Sequence, residues 1–407
     1  MDSVSTDPGQ AERDRRRGRF FLCGAVGAVG FSLALQMGMN ANFLSQDLGF
    51  SGAQLGILEA FRESCGIWAL GVLALLAGFA EPLVGAAMLV LFAVGLGGYA
   101  LVPDFFWVVV ASLVWSQGLH VWMPLPASLA MGLAEPGRVG FRLGQVQSAG
   151  AAGFFGGLAA GYVLTRLGIA IRPLYYAAAL AGLVAAACCL AIPRAIRTEG
   201  PRLVLRRRYR LYYLLCFLEG WRKQIFICFA PFLLVQKYGT PLTTILILNG
   251  IVQVVGCVTG PAAGRLIDRV GERRVLVFYY VCLTAFFLGY AFVDAPRLLY
   301  VLFVVDSSFF VFGMALNTYV NRLVPAAERT PTLSMGVAFN HAAAVAMPLV
   351  GGVLWVTLGP RWTFLAGTFA AAASVLVAFR VPALGPPLAV ALADPVAPRR
   401  AFGWRRG

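Results

Sequence analysis

Twelve apolar stretches of about 20 residues follow one another between Phe20 and Phe379, and every third one is free of ionisable side chains. No Asp, Glu, Lys, Arg or His occurs in Leu83–Val102, Pro173–Ile192, Val275–Val293 or Trp362–Phe379, the third, sixth, ninth and twelfth stretches. Ionisable residues do occur inside segments 2, 4, 7, 10 and 11. A charge held in hydrocarbon costs several kcal/mol, so such residues must face a polar interior. Segments 3, 6, 9 and 12 are therefore expected against lipid, with the others around something wet. The pattern predicts an all-α polytopic membrane protein.

Composition agrees. A chain with 59% apolar residues and only 13% charged ones departs far from a soluble domain. Continuous apolar runs, rather than alternation, exclude a transmembrane β-barrel. The net charge of +15 would suit a nucleic-acid binder, but its placement argues against one. With a cytoplasmic N-terminus, the two tails and the even-numbered connections hold 25 of the 33 basic residues, and the odd-numbered connections hold five (Arg166, Arg172, Lys237, Arg297 and Arg361). That asymmetry places both termini in the cytoplasm of a prokaryotic inner membrane. Arg15-Arg16-Arg17 reads as a cytoplasmic anchor rather than a cleaved signal, because eleven spans follow the first. All eight cysteines fall inside spans with neither zinc-type nor disulfide spacing, and Cys188-Cys189 is expected against lipid.

The spans group into halves. Residues 1–19 read as a cytoplasmic tail, 20–193 as a first six-helix bundle, 194–207 as a cytoplasmic linker, 208–382 as a second bundle and 383–407 as a disordered tail. A shift of 191 residues lays Gly161, Leu167 and Gly168 over Gly352, Leu358 and Gly359. A shift of 190 lays Gly49 and Gly66 over Gly239 and Gly256, and Glu59 and Glu63 over Asn249 and Gln253. Duplicated halves place a solute site at their interface near mid-membrane. Two small-residue stripes, Gly150, Gly153, Gly157 and Gly161 on segment 5 and Gly256, Gly260 and Gly264 on segment 8, are expected to line that interface.

The stretch Gly264-Arg-Leu-Ile-Asp268-Arg269-Val-Gly271-Glu-Arg273-Arg274 resembles the major facilitator superfamily loop signature, G-x-L-x-D-R-x-G-x-R-R. The resemblance implies a fold of two pseudo-symmetric six-helix bundles and alternating-access transport. It also implies a gating role for Gly264, Asp268, Arg269, Gly271 and Arg273. The corresponding first-half connection, Ala77-Gly78-Phe79-Ala80-Glu81-Pro82, lacks the Asp and the basic residues, so only the second copy is expected to latch. Segment 4 carries Val114 where drug/proton antiporters of the family have Arg, and Phe154 follows Gly153 on segment 5 where they have Pro. A partial version of that pair, Pro348-Leu-Val-Gly351-Gly352, stands on segment 11.

Segment 2 carries Glu59, Arg62 and Glu63 on one helical face, two carboxylates sharing a guanidinium. Segment 7 carries Glu219, Arg222 and Lys223. Glu219 stands nine residues beyond Arg210, about 14 Å into the membrane. Glu219 and Asp306 on segment 10 are expected to partner the two cations. Glu59, Arg62, Glu63, Glu219 and Asp306 are the candidate coupling groups. Arg222, Lys223, Gln36, Asn40, His120, Asn340 and His341 are the candidate solute-binding residues, since polar groups from both halves converge there. Trp115, Trp122 and Trp221 are candidates for stacking. A soft-metal carrier is disfavoured because Met37 and Met39 stand about 200° apart around a helix. No cofactor and no metal ligand set is expected.

These features predict a monomeric secondary transporter of a small organic anion or zwitterion, driven by an ion gradient, with the proton as coupling ion, and not an enzyme. Export of hydrophobic or cationic compounds is the alternative. No P-loop pattern is present, and neither histidine has an H-x-x-x-H or H-E-x-x-H partner, which disfavours a membrane enzyme. A sensor that keeps the fold without transporting remains a further class.

Overall fold

The computed structural model describes residues 8–135, 138–197 and 205–382. Glu199, Gly200 and Pro201 of the linker, the tail from 383, and the side chain of Asp268 lie outside the described residues. Helices account for nearly everything within them. The first half holds α1 (Pro8–Asn42), α2 (Gly52–Leu75), α3 (Glu81–Tyr99), α4 (Phe105–Trp122), α5 (Leu125–Gly132), α6 (Val139–Arg166) and α7 (Ile171–Leu190). The second holds α8 (Arg210–Gln236), α9 (Leu242–Val270), α10 (Glu272–Phe292), α11 (Pro296–Phe309), α12 (Met314–Leu323), α13 (Ala326–Thr357) and α14 (Pro360–Ala378).

Fourteen helices make twelve crossings because two segments are broken. Segment 4 continues from α4 into α5 across Met123-Pro124, where proline removes a backbone donor. Segment 10 tightens into a 3₁₀ turn at Phe310–Gly313 between α11 and α12. Among the described residues, nine stretches are long and apolar enough to cross a membrane by length and composition. The crossings outside those nine are α2, α8 and α9. The first two carry the intramembrane charges, whose presence lowers the apolar signal. Helix α1, at 35 residues, is about 52 Å long, more than a bilayer needs. Its charged first turns, expected as a tail, form a helical extension instead. Arg19 ties that extension to Glu12 at 2.9 Å and to Glu135 beyond α5 at 3.1 Å.

Duplication is visible in the backbone. Among the described residues six glycines have positive φ, and they fall into pairs at matching places: Gly49 and Gly239 (64° and 62°), Gly78 and Gly271 (both 87°), Gly168 and Gly359 (83° and 95°). Only glycine takes this region without strain, so each pair marks the same turn in each half. As the charge-free rhythm predicts, α3 packs on α7 and α10 on α14 at the outside of each bundle. Val94, Leu180, Val281 and Leu376 point outward there. Cys189 departs from expectation: it is fully buried and turned towards Gly85 of α3, and Cys188, partly buried, lies against Gly24 of α1.

Two seams join the halves, α2 against α13 and α6 against α9. The first is made by absence of side chains. A Cβ on Gly56 would collide with the Pro348 carbonyl, and one on Gly352 would meet the backbone of Gly52, Ala53 and Gly56. The partial antiporter motif on segment 11 therefore serves as a helix-contact surface. At the same end Asn42 donates to the Thr240 carbonyl at 3.0 Å and Gln236 to the Phe50 carbonyl at 3.2 Å, each bond crossing between halves. The segment-5 stripe does something else. Gly150, Gly153 and Gly157 pack on Gly27, Gly30 and Phe31 of α1 within the first half, and of the four only Gly161 reaches across, to Leu246. Beyond that point the α6–α9 seam opens: among the described residues, a Cβ on Gly144, Gly256 or Gly264 would meet no other atom within 4 Å. The molecule is closed at the Gly52–Trp355 end and parted at the end of the Gly264–Arg274 loop.

Candidate functional site

Helices α2, α4, α8 and α13 bring the ionisable residues of both halves together at mid-span. On α2 the spacing of three and four residues leaves Glu59, Arg62 and Glu63 on one face, as read from the sequence. Arg62 binds Glu59 through Nε at 2.8 Å and Glu63 Oε1 at 2.6 Å. Its guanidinium also lies 5.8 Å from the centre of the Trp115 ring on α4. Both carboxylates are buried. From the second half, Gln224 of α8 reaches Glu59 at 3.4 Å, and His341 of α13 stands with Nδ1 3.3 Å from Glu63 Oε2. His341 fits because Gly66 has no side chain: a Cβ there would strike the imidazole.

His120 of α4 completes this group. Its ring lies edge-on to His341 with centroids 5.3 Å apart. Its Nδ1 sits 2.8 Å from the Ser116 carbonyl, an acceptor only, so Nδ1 carries the proton and Nε2 the lone pair. Ser116 Oγ donates in turn to the Arg62 carbonyl at 2.9 Å.

A second network lies wholly within the second half. Arg222 Nη2 binds Glu219, and the same nitrogen meets the Tyr279 hydroxyl of α10 at 2.9 Å. Tyr279 donates to Glu219 at 3.0 Å. The guanidinium stacks over Phe310 at 4.7 Å. Asp306 stands 3.9 Å away, fully buried, and among the described residues neither of its oxygens accepts a hydrogen bond.

Arg222 and Lys223, adjacent in sequence, are parted by this arrangement. Arg222 is 1% exposed, and Glu219, expected to pair with Lys223 four residues on, pairs with Arg222 instead. Lys223 is half-buried and donates to Asn340 Oδ1 at 2.9 Å, while Asn340 Nδ2 donates to the Cys216 carbonyl at 3.2 Å. Among the described residues no carboxylate lies within ion-pair distance of Lys223. The close approach of α8 and α13 that makes this possible comes from Gly220, where a Cβ would collide with the Asn340 backbone.

Gln36 is buried on α1, and Asn40 keeps its side-chain oxygen enclosed without a donor among the described residues. Met39 is fully buried and Met37 half-exposed, as their opposed directions require. Trp115 packs on Phe92 and Trp122 against Gly85 of α3, so both serve packing. Trp221 lies between Phe217 and Phe369. Gly264, Arg269, Gly271 and Arg273 belong to the parted end, where Glu272 binds Arg322 of α12 at 2.9 Å. The first-half connection makes contacts within its own half. Glu81 accepts from Ser128 of α5 at 2.7 Å, and its N–H donates to the Ile196 carbonyl at 2.9 Å. Sequence reasoning passed over Glu81, a lone carboxylate at a helix start, and Tyr279, which sits in a charge-free segment and turns inward.

The chain matches the Major Facilitator Superfamily profile over residues 21–317 and again over 212–405, and it belongs to that family. It is an integral membrane transporter of small solutes and not an enzyme. No curated protein sequence matches it. Among solved structures it resembles the nucleoside transporter NupG, at 17% identity and a TM-score of 0.71, over 89% of this chain and 97% of that one. A bacterial homologue of the human lysosomal transporter Spinster, in an inward-facing and occupied conformation, gives 12% identity and 0.71 over 92% and 97%. A D-xylose–proton symporter gives 13% and 0.67 over 90% and 98%. At these identities the likeness concerns the fold.

Proposed function

We propose that the protein is a proton-coupled carrier of a small organic anion or zwitterion, working as a monomer by alternating access in a prokaryotic cytoplasmic membrane, with both termini inside. Lys223 carries this reading. It is a half-buried cation at mid-membrane, held by a neutral amide, with no carboxylate within ion-pair distance among the described residues. Burying such a charge is expensive unless a counter-charge arrives, and a solute carboxylate or phosphate is one that can come and go. Asn340, which holds Lys223, and His341 next to it in the chain add groups able to fix a polar solute.

Coupling follows from the second network. Asp306 has a guanidinium 3.9 Å away and no hydrogen-bond donor among the described residues, so it can take up or release a proton as Arg222 moves between it and Glu219. Proton use by the D-xylose symporter of the same fold fits this reading. We keep the domain limits at 193–194 and 207–208 as part of this proposal, with α7 before them and α8 after them.

The experiment is solute-dependent proton uptake in proteoliposomes, screened over a panel of carboxylates, phosphates, amino acids and organic cations. Anion- or zwitterion-driven alkalinisation outside the vesicle, lost in Lys223→Gln, is the expected result. Flux confined to hydrophobic cations and indifferent to Lys223→Gln would favour export of such compounds instead.

A further inference from the structure

We infer that Glu63, His120 and His341 form a binding site for a borderline divalent metal ion of the zinc class, one that ties the two halves together. The three residues come from α2, α4 and α13, so no spacing along the chain could announce the set. One ligand-type atom of each lies within 4.8 Å of the other two. Around a single zinc ion at about 2.1 Å from each ligand, tetrahedral geometry puts donor atoms roughly 3.4 Å apart. The cluster therefore needs to close by at most about 1.4 Å, within reach of side-chain rotation.

The surroundings prepare each donor. His120 gives its Nδ1 proton to the Ser116 carbonyl, which leaves the Nε2 lone pair free, the outer-sphere arrangement that orients metal-binding imidazoles. Glu63 is gripped by Arg62 on Oε1, so Oε2 is the oxygen turned towards His341. Arg62 is shared with Glu59 and takes only Oε1 of Glu63, which leaves Oε2 for an ion. His341 Nδ1 is enclosed without a properly aligned hydrogen-bond partner among the described residues. Two imidazoles with one carboxylate favour Zn²⁺ or Co²⁺ over the hard ions Mg²⁺ and Ca²⁺. Glu63 and His120 belong to one half and His341 to the other, so an ion here fastens the α2–α13 seam in its closed form. Bound metal thus arrests alternation, whatever solute the carrier moves.

The test uses the purified full chain in detergent, with Co²⁺ as a spectroscopic probe. Co²⁺ should give the intense visible bands of a four- or five-coordinate site at one equivalent. Zn²⁺ should abolish them and Mg²⁺ should not. Affinity should fall by at least about tenfold in each of Glu63→Gln, His120→Gln and His341→Gln. Spin labels at residues 144 and 264 supply a second readout that does not depend on variant folding. Zn²⁺ should narrow the wild-type distance distribution onto its longer component. A Co²⁺ spectrum unchanged from the aqueous ion would overturn the site, as would bands that survive in a well-folded His120→Gln/His341→Gln protein. Unchanged label distances with Zn²⁺ bound would overturn the clamp.

Discussion

The adjacent cations of α8 show how one residue's step along a helix changes the chemistry asked of a side chain. Arg222 is sealed among Glu219, Tyr279 and Phe310, and Lys223, a hundred degrees round the helix, reaches Asn340 of α13 instead. Their substitutions should therefore fail differently. Lys223→Gln is expected to leave thermal unfolding in detergent nearly unchanged while raising the KM for solute by about tenfold or more, the loss of one charge-assisted contact. Arg222→Gln removes the cation from between two carboxyl groups and should destabilise the fold by roughly 3–5 kcal/mol. Arg222→Gln combined with Asp306→Asn should recover part of that loss. A stable, transport-dead Arg222→Gln protein would place the guanidinium at the solute instead. Sequence alone grouped these two residues because adjacency and charge are visible in it, whereas the inward turn of Tyr279 from a charge-free segment is not.

At the level of elements, the seams differ in what they allow. Gly56→Val would drive a branched side chain into the Pro348 carbonyl, and overpacking of this kind costs about 1–3 kcal/mol. The cost falls only on the closed seam, so the variant should favour the state that is open at the Gly52 end. Reactivity of a cysteine at residue 53 towards a membrane-impermeant thiol reagent should rise severalfold, and unchanged reactivity would mean that α2 and α13 do not separate there. The segment-5 glycines illustrate a limit of reading: a stripe of small residues announces a close helix contact without naming the partner. The partner is α1, and only the pairing of Gly161 with Leu246 was the interface anticipated. Alternating charge-free segments, by contrast, report on lipid directly, and the α3–α7 and α10–α14 pairs fall where that rhythm puts them.

For the whole molecule, the helix ends where α1, α5 and α6 meet are held by ion pairs whose pH response can be separated from that of the core. The Arg142 side chain beside Glu135 lowers that carboxyl group to about 2. A carboxylate whose value is depressed on folding contributes fully above its ordinary range near 4.5 and loses that contribution as pH falls towards 2. The junction of α1, α5 and α6 should then be indifferent to pH between about 5 and 8, and pH-dependent transport in that window should survive Glu135→Gln. Loss of the pH dependence in that variant would move coupling out of the membrane. Orientation can be checked separately. Reporter fusions at residues 200 and 400 should both be cytoplasmic, as the basic-residue asymmetry requires. The twelve crossings, the duplication and the family were legible because they rest on composition and period. The site was legible only as an inventory, since its partners are joined by folding across some 280 residues, from Glu59 to His341.

The glycine-lined contact of α2 with α13 has a consequence for how freely the transporter cycles. Where two surfaces close through interlocking side chains, each closure must freeze rotamers, at up to about 2 kcal/mol for a long residue. Gly52, Gly56 and Gly352 have no rotamers to lose. Their approach and retreat leave side-chain disorder unaltered, so the balance between closed and parted forms is delegated to the few polar residues alongside. A proton, a solute or an ion acting on those residues can tip it without first overcoming an entropic bias.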